Sequence, residues 1–314
     1  MASENIVIVA AKRTAMGGFM GGLADVDATV LGATAIKAAL EQAGISGDKV
    51  SEVIMGNVLP AGLGQAPARQ ATLKAGLPLT AGATTINKVC GSGLKAVMLA
   101  SDLLKAGSAD VVVAGGMESM SNAPYLLDKA RSGYRMGHGQ IKDHMMLDGL
   151  ENAYDGKAMG CFAQGTADEK GITREQMDAF AVQSLTRAQQ AINSGAFEGE
   201  ITPVTFQTRK GEVTFNIDEQ PGNAKVDKIP TLRPAFAKDG TITAANSSSI
   251  SDGAAALILM RESDAKAQGA KPLARVVAHA TNSMEPALFT VAPVGAMQNV
   301  LQKAGWDKEQ VDLW

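Results

Sequence analysis

The feature that most restricts the fold is an alternation in the stretch up to Gly116. Four short runs, Ile6 to Val9, Val53 to Val58, Thr84 to Val89 and Asp110 to Ala114, alternate with segments whose apolar residues recur at helical spacing. A continuous apolar run too short for a helix reads as a strand buried on both faces, and strands linked through helices pair in parallel. Ala28 to Ala43 is the first such helix, behind a possible Asp27 cap and ended by Gly44, and Pro67 opens a second toward Ala75. The class is therefore α/β, with a mainly parallel sheet covered by helices on both sides.

After Gly116 the pattern breaks. From Ser121 to about Asn246 the text is richer in Gly, Lys, Asp and Pro. One clear helix, Arg174 to Asn193, is headed by Thr173 and ends before Gly195. Strand-like fragments, Ile201 to Gln207 and Glu212 to Ile217, lie beyond it. This reads as an inserted layer, where ligand contacts tend to collect, and the sheet pattern resumes at Ala254 to Met260. An internal repeat follows: Leu40, Ala43, Gly44 and Val50 recur at the same spacing as Leu301, Ala304, Gly305 and Val311. The chain thus reads as two copies of one βα design, the second beginning near Leu273 and reaching only its first strand and helix.

Composition narrows the function classes. The 314 residues are 46% hydrophobic, enough for a sizeable core. With 29 basic and 32 acidic side chains, the net charge of −3 gives no global attraction to nucleic acid or to an anionic membrane. Basic clusters interleaved with aromatics are also missing. Cys90 and Cys161 cannot form a disulfide framework, Met1 to Ala11 has no secretory pattern, and no apolar run is long enough to span a bilayer. A cytoplasmic protein is expected.

Cys90 sits where the Thr84 to Val89 run gives way to Gly91, Ser92 and Gly93 and then to the helical series Leu94, Val97, Met98, Leu99, Leu103 and Leu104. Small residues let the backbone fold back sharply there, so the sulfur is lifted from the sheet toward the unpaired N–H groups of a helix start. That geometry presents a nucleophile. A helix start contributes roughly 0.3 to 1 kcal/mol and one pKa unit corresponds to about 1.36 kcal/mol, so a thiol shown this way still needs a base or a cation.

Asn87-Lys88-Val89-Cys90-Gly91-Ser92-Gly93, followed by Ala114-Gly115-Gly116-Met117-Glu118-Ser119-Met120-Ser121, resembles the nucleophile region of thiolases, specifically acetyl-CoA acetyltransferases. The likeness runs along essentially the whole chain, through Arg233-Pro234-Ala235-Phe236 and Asn246-Ser247-Ser248 to Asp252-Gly253-Ala254-Ala255. It implies a thiolase-like layered α/β fold of two related βα halves with an inserted loop domain. On that division residues 1–120, completed by about 247–272, form the half that carries the nucleophile. Residues 121–246 form the loop domain, and 273–314 begin a second half that is incomplete. The family's Asn-Glu-Ala-Phe, Gly-His-Pro and late Cys-Gly segments are absent from these residues, so part of the active site is expected to be missing from them.

The resemblance assigns Cys90 a covalent S-acetyl intermediate. Condensation of two acetyl-CoA then gives acetoacetyl-CoA and CoA, and the reverse is thiolysis. It places Leu150 and Met159 along the pantetheine of CoA, and Phe236, Ala244 and Ser248 near its pantetheine and adenine ends. Two positions depart from the family pattern: Ala158 stands where a histidine is usual, and the arginine usual near Pro221 is absent, with Lys225 or Lys228 as candidates to supply its charge. CoA thioesters are substrates, with no separate cofactor or metal, and the family implies a homodimer or homotetramer. The readings kept beside this one are a broader 3-ketoacyl-CoA thiolase, a non-catalytic acyl-CoA-binding scaffold and a cysteine-dependent acyl hydrolase.

Other reactive residues read as structural. His138, His144 and His279 lack a Gly-His-Pro context and are expected at the surface or in structural roles, and Cys161 as buried filler. Glu118 could be a general acid, but a carboxylate after a strand more often accepts hydrogen bonds from nearby N–H groups. Gly115 and Gly116 read as a tight turn, with no phosphate-loop or dinucleotide fingerprint.

Overall fold

The computed structural model describes residues 4–314. The strands and helices follow in chain order as β1 (Ile6–Thr14), β2 (Gly17–Gly18), α1 (Ala28–Ala43), β3 (Glu52–Gly56), α2 (Pro67–Lys74), β4 (Gly82–Ile86), α3 (Ser92–Lys105) and β5 (Val111–Ser119). The inserted stretch holds β6 (Tyr125–Leu127), β7 (Ile141–Asp143), α4 (Met159–Lys170), α5 (Arg174–Asn193), β8 (Ile201–Thr202), β9 (Val204–Thr208), β10 (Gly211–Phe215) and α6 (Glu219–Asn223). The chain then returns with β11 (Ser251–Arg261), α7 (Glu262–Ala267), β12 (Ala274–Val276) and α8 (Ala292–Ala304). By packing, one compact unit comprises residues up to Leu150 with Arg187–Ala224 and Ser249–Arg275, and the other comprises Glu151–Thr186, Lys225–Ser248 and Val276–Trp314.

The first unit is built on a sheet of order β12-β1-β11-β5-β3-β4. β3 pairs in parallel with both β4 and β5, as expected of strands joined through helices. The sheet is nevertheless mixed, because β11 runs antiparallel between β1 and β5. Its hydrophobic run carries no sign of direction, and only the long excursion before it decides from which end it enters. Side-chain alternation serves two helical layers. Val111, Val113, Val53, Met55, Ile258 and Met260 join Leu31 and Ile36 of α1 in one cluster. The alternate residues Val112, Ala114, Ile54 and Leu259 are just as buried, on the side of Ala96, Ala100 and Leu104 of α3.

Gly115 and Gly116 are part of β5 and do not form the expected tight turn. Gly115 serves close approach: a Cβ there would lie 2.0 Å from the Ala255 carbonyl oxygen on β11. At the end of β1, buried Asp218 accepts two bonds from the Arg13 guanidinium at 2.7 and 2.9 Å and one from the Met16 N–H at 2.8 Å. Arg13 also reaches Glu200 and lies over the Phe197 ring.

The repeat read from the sequence has matching local structure. Gly44 and Gly305 both end their helices in the left-handed region, at φ 64° and 68°. In each case the following residue donates back to the helix, Ile45 to Leu40 and Trp306 to Leu301. A single 3₁₀ turn comes next, Gly47–Lys49 and Lys308–Gln310, leading to Val50 and Val311. Asp27 is at the α1 N-cap as expected, although its side chain makes no capping bond. Ahead of α5, Thr173 and Gln176 cap one another reciprocally.

Candidate active site

Cys90 lies at the carboxyl end of β4, two residues before the first turn of α3, and its side chain is exposed. The parallel partner of β4, β3, ends beside it at Gly56, and β5, parallel to β3 on the other side, continues beyond Gly116. In an open α/β sheet this is the edge where ligands bind. Two surface clefts, about 390 Å³ between the ends of α1 and α2 and about 490 Å³ beside Asp110 and Asp264, lie toward the other ends of these strands and are lined by none of the expected site residues.

The backbone between β4 and α3 is closed by its own side chains. The Val89 N–H donates to Asn87 Oδ1 at 2.8 Å, and Ser92 Oγ accepts from the Lys88 N–H at 2.8 Å while donating to the Val89 carbonyl at 2.7 Å. Gly91 and Ser92 donate their own N–H groups to the carbonyls of Lys88 and Val89. Val89 is thereby held at φ 48°, a left-handed value costly for a β-branched residue. Gly56 lets the start of α3 sit directly on the sheet, since a Cβ there would be 2.5 Å from that of Ser92. The sequence reading took Ser92 only as a small residue and missed its hydroxyl; the signal was a serine five positions after an asparagine, spanning a turn too tight for the backbone to satisfy alone.

On the adjoining strands, Glu118 has the structural role that its place after an apolar run suggests. It accepts from Asn57 Nδ2 at 2.7 Å and from the N–H groups of Val58 and Leu59 at 2.8 and 3.0 Å, tying the turn after β3 to β5. Burial pushes its pKa up, while those donors and nearby His144 pull it back. His144 is buried, with Nδ1 2.7 Å from Asp148 and Nε2 accepting weakly from the Ala61 N–H, which is a structural role. His138 is exposed and His279 half-buried. Cys161 is half-buried in the first turn of α4, so it is not the sealed filler expected of it: the first turn of a helix packs on one face only.

The residues expected to hold CoA divide between the two packing units. Leu150 ends a π-helical turn, Met146–Leu150, in the first. In the second, Met159 is the first residue of α4, and the Phe236 ring rests on its neighbour Gly160, where a Cβ would lie 2.2 Å from the ring. Ala244 and Ser248 are exposed along the segment after Thr243. That segment is fixed by Asn246, which accepts from the Thr243 N–H at 2.7 Å and donates to Thr241 and to Asp178, itself paired with Arg174 at 2.6 Å. Met159 and Phe236 are therefore neighbours, and Ala244 and Ser248 share one braced loop. Lys225 and Lys228 are both exposed.

An exposed thiol on a strand-to-helix elbow, over a layered α/β sheet, is an arrangement that suits covalent group transfer. Family comparison specifies which one: residues 6–263 match the thiolase N-terminal domain and residues 270–314 the thiolase C-terminal domain, so the chain belongs to the thiolase family. The acetyl-CoA acetyltransferase of Escherichia coli is 54% identical over 312 residues, 99% of this chain and 79% of that protein. The mitochondrial acetyl-CoA acetyltransferase of Mus musculus is 46% identical over 99% of this chain and 73% of its own length. The solved acetyl-CoA acetyltransferase of Syntrophomonas wolfei superposes with a TM-score of 0.95 at 39% identity, covering 99% of this chain and 78% of that one.

Proposed function

We propose that this acyltransferase of the thiolase family works through Cys90 as its nucleophile. The activity is that of an acetyl-CoA C-acetyltransferase. In the thiolysis direction the Cys90 thiolate attacks the C3 carbonyl of acetoacetyl-CoA. The C2–C3 bond breaks, its electron pair is protonated to give acetyl-CoA, and the acetyl group stays on sulfur. The thiol of a second CoA then attacks that thioester, releasing acetyl-CoA and restoring the cysteine. Condensation is the same sequence reversed. The proton transfers are assigned to no side chain among the described residues; Glu118 already accepts from three donors.

The observation that carries the reading is the exposure of Cys90 at the carboxyl edge of the sheet, on a backbone shaped to display it. Leu150, Met159, Phe236, Ala244 and Ser248 are the proposed CoA contacts, supported by the partial exposure of Phe236 beside Met159 and by the exposed Ala244 and Ser248. No cofactor beyond the CoA thioesters is proposed. No helix among the described residues is long and apolar enough to cross a membrane, and cytoplasmic residence is the proposed location. A homodimer or homotetramer is proposed, in keeping with exposed Val89, Leu94, Tyr125, Leu127 and Ile141. Light scattering on the purified protein measures it.

Incubation with acetoacetyl-CoA, followed by intact-mass and peptide analysis, tests the nucleophile. The expected result is one acetyl increment on the peptide containing Cys90, absent in Cys90→Ser, with acetyl-CoA as the released product. Acetyl transfer that persists in Cys90→Ser overturns the assignment, and acetoacetate with free CoA in place of acetyl-CoA indicates a hydrolase.

A further inference from the structure

The elbow poses a problem that the thiol chemistry does not answer. Val89 is β-branched, stands at φ 48° and is half exposed within this chain, so packing inside the chain covers only part of it and does little to hold its strained backbone. Something nearby must over-determine that conformation. Beside the backbone bonds from Gly91 and Ser92, three side-chain hydrogen bonds do: one from the Val89 N–H to Asn87, and two made by the Ser92 hydroxyl to Lys88 and Val89. Asn87 is exposed, so water competes for its bond. Ser92 is 4% exposed and sits beneath Gly56, where water does not reach, and its hydroxyl uses donor and acceptor together across the residues that precede the thiol.

We infer that Ser92 is a positioning residue for acyl transfer: its buried hydroxyl pins the Lys88 to Val89 backbone in the left-handed elbow and so aims the Cys90 sulfur. The inference rests on the reading of Cys90 as nucleophile. Without the pin, Lys88 loses its acceptor, Val89 relaxes toward ordinary φ values, and the following residue swings with it. The thiol stays accessible but is misdirected. Ser92 touches no reacting atom, and its effect passes entirely through Val89 and Cys90.

The test compares two reactions of the same sulfur. Alkylation by iodoacetamide needs only an accessible thiolate, whereas acyl transfer from acetoacetyl-CoA needs it aimed. In Ser92→Ala the acyl-transfer kcat should fall about 30-fold with KM within about twofold, because an ångström-scale misplacement of a reacting group costs that order of rate. Alkylation of Cys90 should stay within about threefold. Ser92→Thr, which keeps the hydroxyl, should retain acyl transfer. Val89→Gly combined with Ser92→Ala should recover about tenfold of the loss, because glycine accepts the same φ without strain and the two sites are coupled. Acyl transfer unchanged in Ser92→Ala overturns the inference. So does a parallel fall of alkylation and acyl transfer with loss of the folded circular dichroism signal, which marks a purely structural serine. Persistent transfer in Cys90→Ser would sink the nucleophile reading itself, whatever Ser92 does.

Discussion

Gly56→Ala is the perturbation whose magnitude the structure sets most directly. Gly56 is the last residue of β3, paired with Ile86 on one side and Gly116 on the other, so the sheet holds it in place. An added methyl would lie 2.5 Å from Ser92 Cβ, 2.8 Å from its carbonyl carbon and 2.9 Å from the Gly93 nitrogen. Two of these three atoms are backbone, so no flexible side chain can turn away. Ordinary contact begins near 3.4 Å, so the start of α3 must recede by about 0.9 Å, which is 3.4 minus 2.5. Overpacking of this kind costs about 1 to 3 kcal/mol of stability. Because Ser92 is carried outward with α3, the elbow opens as well, and a displacement near 1 Å lowers the rate of a positioned reaction by about 100-fold, or about 2.7 kcal/mol of barrier. Urea unfolding measures the first effect and initial rates of acetoacetyl-CoA thiolysis the second. A variant that loses stability yet turns over within about twofold of the parent refutes the argument that the contact between Gly56 and Ser92 sets the aim of the thiol.

Two further perturbations concern the first packing unit. Burial raises the Glu118 pKa above its unfolded value, so the group's contribution to stability is fully present below the unfolded pKa and is lost as pH rises through the higher folded one. The unfolding free energy of the parent minus that of Glu118→Gln should therefore shrink as pH rises across that window, and a difference that grows or stays level in urea titrations at several pH values contradicts it. Asp218→Asn removes the charge facing the Arg13 guanidinium in a buried site and leaves Arg13 only the more exposed Glu200, which should cost about 2 to 4 kcal/mol; a urea midpoint indistinguishable from the parent rejects that assignment.

Much of the architecture was legible because it rests on local patterns. The apolar runs became β1, β3, β4 and β5, the glycine after α1 closed its helix, and the spacing shared by Leu40 to Val50 and Leu301 to Val311 marked one local design used twice. The elbow that exposes Cys90 was legible because its glycine-rich flank turns sharply. What escaped is what pairing across the fold decides. The direction of β11 depends on a long excursion whose course no periodicity records, and Gly115 and Gly116 looked like a turn because the sequence does not show that both pair with β11 or that β11 presses against Gly115. Ser92 escaped for a different reason. A serine among glycines reads as smallness, and only the fold shows its hydroxyl bridging Lys88 and Val89.

The relative sizes of two effects show what this half of the fold contributes to chemistry. The start of α3 can offer an exposed group nearby at most about 1 kcal/mol, and solvent reduces that further. Holding the same sulfur within an ångström of its line of attack is worth about 2.7 kcal/mol, nearly three times as much. The structural investment follows that ratio: Gly56, Ser92 and the strained Val89 all shape the backbone around Cys90. The half-buried Glu118 on the adjoining strand braces the turn after β3. On the proposed role of Cys90, the sheet edge would therefore contribute aim more than activation.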